Sequence, residues 1–178
     1  MNILTTINDR TSYRGTYQKT SIPREDLIKI MEAGLAAPSG CNKQTTSLIA
    51  VDDADLLGKL CEVIRPPAAE TAPAIICVLT QRIPSYRDMC FSIQDYSAAI
   101  QNMLLAAVAL GYQSCWYEGH VTDTDVIGRK MADIVGVPHD YDLVCFLPIG
   151  IADQPLTHVD KKPFAERAWF NGFRQKNG

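Results

Sequence analysis

The sequence of 178 residues lacks the features that mark several large classes of protein. Its longest apolar run, residues 103–110, is far shorter than the roughly 20 residues that a membrane-spanning helix needs. Basic residues are not in excess, because 17 Lys and Arg stand against 20 Asp and Glu, and the net charge is −3. Since nucleic acids are bound by a basic face, we expect neither a nucleic-acid-binding protein nor a membrane protein.

Metal-binding and disulfide patterns are also missing. None of the six cysteines forms a C-x-x-C pair, and the three histidines are scattered. Most of the cysteines lie within apolar stretches, where a reduced thiol behaves as a small hydrophobic group. The first residues lead directly into polar sequence, without the pattern of a secretory leader. We therefore expect free thiols, no metal site and a cytoplasmic protein.

The order of the apolar periodicities predicts one layered α+β domain that includes residues 1–178. Helical spacing marks residues 2–8, a segment that opens near Ser21 and stops before Pro38, residues 54–63 and 93–110, and a segment from Thr122 to before Gly136. Strand patterns mark residues 48–51, 74–80, 113–117 and 143–149. Residues 65–73 are predicted to form a loop long enough to be a flap.

The chain changes character after Gly150. In the tail, residues 151–178, the aromatic residues Phe164, Trp169, Phe170 and Phe173 alternate with polar ones and have no obvious core of their own. Exposed aromatic side chains usually mark a contact surface. The helix over residues 93–110 is apolar nearly all round, which indicates the centre of a domain or an oligomer interface.

Three short stretches carry the residues best suited to bind a ligand. In an extended chain, Arg10, Ser12 and Arg14 point to one face, and two guanidiniums beside a hydroxyl suit a phosphate or a polyol. Residues 37–44 end a helix and offer small residues, exposed backbone N–H groups and side-chain amides. Residues 116–119 end a short strand at Gly119, which would let a flat group approach the backbone closely.

Together, in this order and spacing, the three stretches resemble the FMN-binding signature of the nitroreductase family of flavin oxidoreductases. The family pattern A-P-S-x-x-N-x-Q is matched by Ala37, Pro38, Ser39, Asn42 and Gln44. The sequence departs from the family at residues 45–46, which are Thr-Thr where the family often has Pro-Trp. The resemblance runs from residue 10 to residue 163, and the dinucleotide motif G-x-G-x-x-G is absent.

The resemblance implies a three-layer α/β/α fold with a mixed, mostly antiparallel sheet, in an interlocked homodimer with FMN at the interface. The tail would dock on the partner subunit. NADH or NADPH would deliver a hydride to flavin N5, and a small organic acceptor such as a nitroaromatic, a quinone or an enone would then collect it in ping-pong kinetics. The flavin carries this chemistry, so no catalytic side chain and no metal is expected.

The resemblance also implies roles for individual residues. Arg10 would meet the phosphate, Ser12 the ribityl chain, and Arg14 the N1–C2 edge, where a positive charge favours the reduced flavin. A backbone N–H of the pair Glu118 and Gly119 would donate to N5. The implied cofactor-binding set is Arg10, Thr11, Ser12, Arg14, Pro38, Ser39, Gly40, Cys41, Asn42, Gln44, Tyr117, Glu118, Gly119, Gly150 and one or both of Lys161 and Lys162.

Two alternatives remain open from the sequence. Residues 81–92, with Arg82, Tyr86 and Arg87, could form a small lid over an anionic substrate, as in deiodinases and flavin-fragmenting enzymes of the same scaffold. The chain could also be a flavin-binding or sensing module without turnover. Asp95, Gln101 and Asn102 match a further family pattern, and we interpret them as determinants of the fold.

Overall fold

The computed structural model describes residues 2–64, 67–119 and 126–173. The helices are α1 (Ile3–Asp9), α2 (Arg24–Leu35), α3 (Ala54–Val63), α4 (Pro67–Thr71), α5 (Ser92–Ala109), α6 (Ile127–Ile134) and α7 (Phe164–Arg167). The strands are β1 (Thr46–Val51), β2 (Ala74–Thr80), β3 (Pro84–Tyr86), β4 (Met89–Cys90), β5 (Gln113–Ser114), β6 (Tyr117–Glu118) and β7 (Asp142–Gly150).

A five-stranded sheet organises the described part of the chain. Its order is β1-β2-β7, and both β5 and β6 pair with β7, all of them antiparallel. Strand β2 is buried along its whole length, so alternate side chains enter two separate cores. Ile75 and Cys77 pack in the core that includes α3 and α6, and Ile76 and Val78 pack in the core that includes α2 and α5. The predicted three-layer α+β fold is therefore confirmed.

The edge strand that pairs with β7 is interrupted opposite a proline. The sequence predicts one strand over residues 113–117, but the structure has β5 and β6 separated by Cys115 and Trp116. Both short strands keep one register against β7, which places Cys115 opposite Pro148. Since proline has no backbone N–H, this position loses a ladder hydrogen bond and the strand is broken there.

Most other elements lie where the sequence predicts them. Strand β2 and helix α3 have the predicted bounds, and α5 begins and ends one residue earlier than predicted. The prediction of a loop over residues 65–73 was wrong for its middle part, where Pro67–Thr71 forms α4. A proline at the first helical position followed by helix-forming alanines favours this short helix, and its residue Ala69 is fully buried. The predicted helix start at Thr122 lies outside the described residues.

A large apolar surface remains uncovered on the single chain. In α1, Ile3 and Leu4 are more than half exposed and Thr6 is the buried residue. In the tail, Phe164, Phe170 and Phe173 are 68, 76 and 73% exposed. Exposed apolar groups of this number are typical of an interaction surface. Within the described residues, no helix is long and apolar enough to cross a membrane.

Candidate flavin-binding site

The segment formed by residues 10–14 alternates as the sequence predicts. Thr11 and Tyr13 are buried, Ser12 and Arg14 are exposed, and Arg10 is half-buried. Helix α1 ends at Asp9, and the backbone of the next residue, Arg10, is extended. The buried side chains anchor the segment, and the exposed ones are left available as donors to a ligand.

Hydrogen bonds hold this segment between β5 and the start of the tail. The Tyr13 N–H donates to the Ser114 carbonyl at 3.0 Å. The Tyr13 hydroxyl accepts the N–H groups of Asp153 and Gln154, both at 3.2 Å. The Thr11 hydroxyl donates to the Thr157 carbonyl at 2.8 Å. The tail thus passes the segment four residues before the exposed Lys161.

Cys115 lies between the 10–14 segment and β6. Its thiol is buried and donates to the Trp116 carbonyl at 3.7 Å, and Ser12 and Tyr117 are near enough to act on its pKa. Burial raises the pKa of Cys115, while the guanidiniums of Arg14 and Arg10 act in the opposite direction. The two cations are therefore close enough to act on a group at the edge strand, and the first and third stretches of the sequence meet here.

The short strand β6 presents one particular backbone donor. The Gly119 N–H donates to the Val144 carbonyl at 2.6 Å, so it is already used within the sheet. Because the ladder alternates, the N–H of the preceding residue, Glu118, points away from β7 toward the open edge. A Cβ on Gly119 would lie 2.7 Å from the Leu143 carbonyl oxygen, which accounts for the glycine by packing. Of the predicted pair, Glu118 is therefore the candidate donor.

The 38–44 loop has an unusual backbone. Cys41, Asn42 and Gln44 are all non-glycine residues with positive φ, at 50°, 55° and 51°. Residues in this region cost about 1–2 kcal/mol each and need support from their surroundings. All three side chains are exposed, so the loop displays a thiol and two amides on a fixed backbone.

Asp95, near the start of α5, supplies that support. Its buried carboxylate accepts the Gly40 N–H and the Thr45 hydroxyl, both at 2.8 Å. Within the loop, the Gln44 N–H donates to the Ser39 hydroxyl at 3.0 Å. Asp95 thus acts on the conformation of the loop, which agrees with the interpretation of this residue as a determinant of the fold.

A pocket of about 330 Å³ lies between Glu118, the start of α5 and the β3–β4 hairpin. Its lining residues are Thr80, Arg82, Cys90, Ser92, Ile93, Tyr96, Glu118 and Val144. Arg82 forms an ion pair with Asp142 at 2.8 Å. Burial, followed by the neighbouring Cys145 and Glu118, raises the pKa of the Tyr96 phenol, which keeps this hydroxyl protonated. Polar and apolar groups both line the pocket, and of its lining only residues 81–92 and Glu118 were singled out from the sequence.

Gly150 has a structural explanation of its own. It is buried at the end of β7, and a Cβ there would lie 2.8 Å from atoms of both Pro73 and Tyr17. Packing within the chain therefore accounts for this glycine, and its place in the cofactor-binding set stays a prediction. Among residues 2–64, 67–119 and 126–173, no group of three His, Cys, Asp or Glu is placed to hold a metal.

Known proteins are similar to this chain in sequence and in fold. The sequence model of the nitroreductase family matches residues 7–65 and 58–151. A proposed NADH dehydrogenase/NAD(P)H nitroreductase from Archaeoglobus fulgidus is 30% identical over 147 residues, which cover 81% of this chain and 82% of that protein. An iodotyrosine deiodinase from Thermotoga neapolitana is 26% identical over 165 residues, covering 78% and 83%.

Solved structures extend the likeness to the whole fold. An FMN-dependent nitroreductase from Clostridium difficile has a TM-score of 0.81 at 26% identity and covers 96% of this chain and 99% of its own. A nitroreductase with bound FMN from Bacteroides fragilis has a TM-score of 0.73 at 26% identity, covering 96% and 98%. The fold is that of a flavin-binding α+β protein. The chain belongs to the nitroreductase family.

Proposed function

We propose that this protein passes a hydride from NAD(P)H to a small organic acceptor, such as a nitroaromatic, a quinone or an enone, in ping-pong kinetics. As a member of its family it is an FMN-dependent oxidoreductase with NAD(P)H as the reductant. The bound FMN supplies the hydride chemistry at N5, and the protein supplies orientation and charge. The observation that carries the proposal is the contact of the 10–14 segment with the edge strand β5, where the Tyr13 N–H donates to the Ser114 carbonyl at 3.0 Å.

The exposed donors of the 10–14 segment suit the polar part of FMN. Arg10 binds the phosphate, for which a guanidinium offers two parallel N–H donors. Ser12 binds the ribityl chain, and Arg14 stands at the N1–C2 edge of the ring. Burial of Thr11 and Tyr13 supports this arrangement, because it fixes the segment before a ligand arrives. Lys161 or Lys162 adds a second cation at the phosphate.

The open edge of β6 suits the ring. The backbone N–H of Glu118 donates to N5, and a donor at that atom favours its reduction. The exposed side chains of the 38–44 loop contact the isoalloxazine, with Asn42 and Gln44 offering amide groups. The 330 Å³ pocket beside Glu118 then receives the acceptor.

Two subunits complete each site in this proposal. The 38–44 loop is held by Asp95 and contacts β3 and α5, whereas the 10–14 segment is held by β5 and the tail. In the family, the loop reaches the flavin of the other subunit. The exposed apolar groups of α1 and of the tail are the surfaces that would cover each other in a homodimer.

A second candidate function rests on residues 81–92. They form the β3–β4 hairpin, with a turn at Arg87 and Asp88, and they border the pocket. The likeness to a deiodinase supports a lid over an anionic substrate. Arg82 is already paired with Asp142, so an anionic ligand would have to compete with that carboxylate. Protection of the hairpin amides from hydrogen exchange by a halogenated aromatic acid, and not by a nitroaromatic, would favour this candidate.

The central test is the binding and turnover of FMN. We expect one FMN per chain, in preference to FAD, and an increase in unfolding free energy of about 2.7 kcal/mol at 100 times the dissociation constant. NADH or NADPH should bleach the bound flavin, and an added quinone or nitroaromatic should restore its colour. FMN uptake without bleaching would indicate a binding module, and no uptake at tens of micromolar FMN would overturn the proposal.

A further inference from the structure

The side chains of Trp116, Cys145 and Glu118 are linked in series by hydrogen bonds on one face of the sheet, at β6 and β7. The Trp116 indole N–H donates to the Cys145 sulfur at 3.1 Å, and the Cys145 thiol donates to Oε2 of Glu118 at 3.4 Å. Trp116 and Glu118 are two residues apart, so they share a face of the edge strand. Cys145 stands opposite Glu118 on β7 and has no exposed surface.

Cys145 is suited to its position between the Trp116 indole and the Glu118 carboxylate. Burial, together with the nearby Glu118 carboxylate, strongly raises the pKa of the thiol. A thiol that stays protonated can donate its S–H to a carboxylate while its sulfur accepts the indole N–H. The indole N–H, the buried sulfur and one carboxylate oxygen are thereby satisfied together.

The hydrogen bond from Cys145 also sets the direction in which the Glu118 carboxylate points. Cys145 belongs to β7, the inner strand, and Glu118 belongs to the edge strand. The hydrogen bond therefore draws the carboxylate inward over the sheet, while the N–H of the same residue points outward to the open edge. The backbone donor and the side-chain anion of Glu118 are separated by the strand itself.

We propose that Cys145 is a positioning residue that keeps the Glu118 carboxylate away from the flavin ring. The inference rests on the proposed function, because it places N5 at the open edge of β6. Reduced flavin carries negative charge, so a carboxylate that moved to the same edge would oppose reduction. At a separation near 8 Å and an effective dielectric near 30, Coulomb's law gives about a tenfold effect on an equilibrium constant, and because the carboxylate also acts on the ring from its place beside Cys145, this is an upper limit on the change.

The test compares the bound flavin in four variants, Cys145→Ala, Cys145→Ser, Glu118→Gln and the double variant Cys145→Ala/Glu118→Gln. Cys145→Ala should lower the affinity for reduced FMN relative to oxidised FMN by up to about tenfold, which is a fall in potential of up to about 30 mV for a two-electron couple. Cys145→Ser keeps a donor and an acceptor and should stay near the wild-type potential. In the Glu118→Gln background, Cys145→Ala should produce no shift, because no carboxylate remains.

Each outcome separates this inference from the proposed function. If the wild-type protein binds no FMN, the proposed function fails. If FMN binds normally and the potential of Cys145→Ala equals that of the wild type, the positioning role is wrong. An equal shift in the Glu118→Gln background would assign the effect to packing and would also overturn it. Should Cys145→Ala not fold, Glu118→Asp serves instead, since its shorter carboxylate cannot reach the thiol and should lower the potential in the same way.

Discussion

Replacing Asp95 should test how the 38–44 loop is held. Its carboxylate accepts two hydrogen bonds of 2.8 Å, from the Gly40 N–H and the Thr45 hydroxyl. Hydrogen bonds to a charged group contribute about 1.5–3 kcal/mol each, and the buried Thr45 hydroxyl would lose its partner as well. We expect Asp95→Ala to lower the free energy of unfolding by about 3 kcal/mol. For a chain of this size that is a fall in Tm of about 6–12 °C.

Two further variants separate the possible causes. In Asp95→Asn, the amide oxygen can accept the Gly40 N–H and the amide nitrogen can donate to the Thr45 hydroxyl, so a loss of about 1 kcal/mol is expected. Asp55→Ala is the matched control, because Asp55 is an exposed acid in the first turn of α3. It should lose only the interaction with the helix dipole, about 0.3–1 kcal/mol.

Urea unfolding and amide hydrogen exchange measure the two consequences. The positive φ values of Cys41, Asn42 and Gln44 favour relaxation once the carboxylate is gone, so the amide of Gly40 should exchange faster in Asp95→Ala. FMN affinity should fall with it, because the loop no longer has one conformation. Equal stability of Asp95→Ala and Asp55→Ala, or unchanged exchange at Gly40, would refute the reasoning.

Two other predictions concern the cofactor and the assembly. Arg10→Ala should weaken FMN binding by about 10- to 150-fold, the equivalent of about 1.5–3 kcal/mol. Arg14→Ala should chiefly make the bound flavin harder to reduce. If both variants change FMN affinity and flavin potential equally, the two residues are misassigned. Arg24→Ala, which breaks an exposed ion pair with Asp52, is the control for a lost surface charge. Deleting residues 164–178 should weaken the dimer and the flavin site together while the sheet stays folded, and light scattering that found a fully loaded monomer would contradict the shared site.

The sequence by itself determined the elements whose signals are local. Strand β2 is a run of seven buried residues, and α3 has a helical apolar stripe after the capping residue Asp53, so their bounds could be predicted from neighbouring residues alone. The alternation of residues 10–14 likewise predicted which side chains would be exposed. The order and spacing of the three stretches pointed to the family because both can be read from the sequence without knowledge of the tertiary contacts.

The tertiary structure decided the features that depend on partners far apart in the chain. The break at Cys115 follows from its register against Pro148, and the role of Asp95 follows from its contacts with Gly40 and Thr45. The choice of Glu118 over Gly119 as the open donor depends on which N–H the ladder with β7 consumes. Hydrogen-bond partners of this kind are set by register and packing, and those become definite only when the whole sheet has formed.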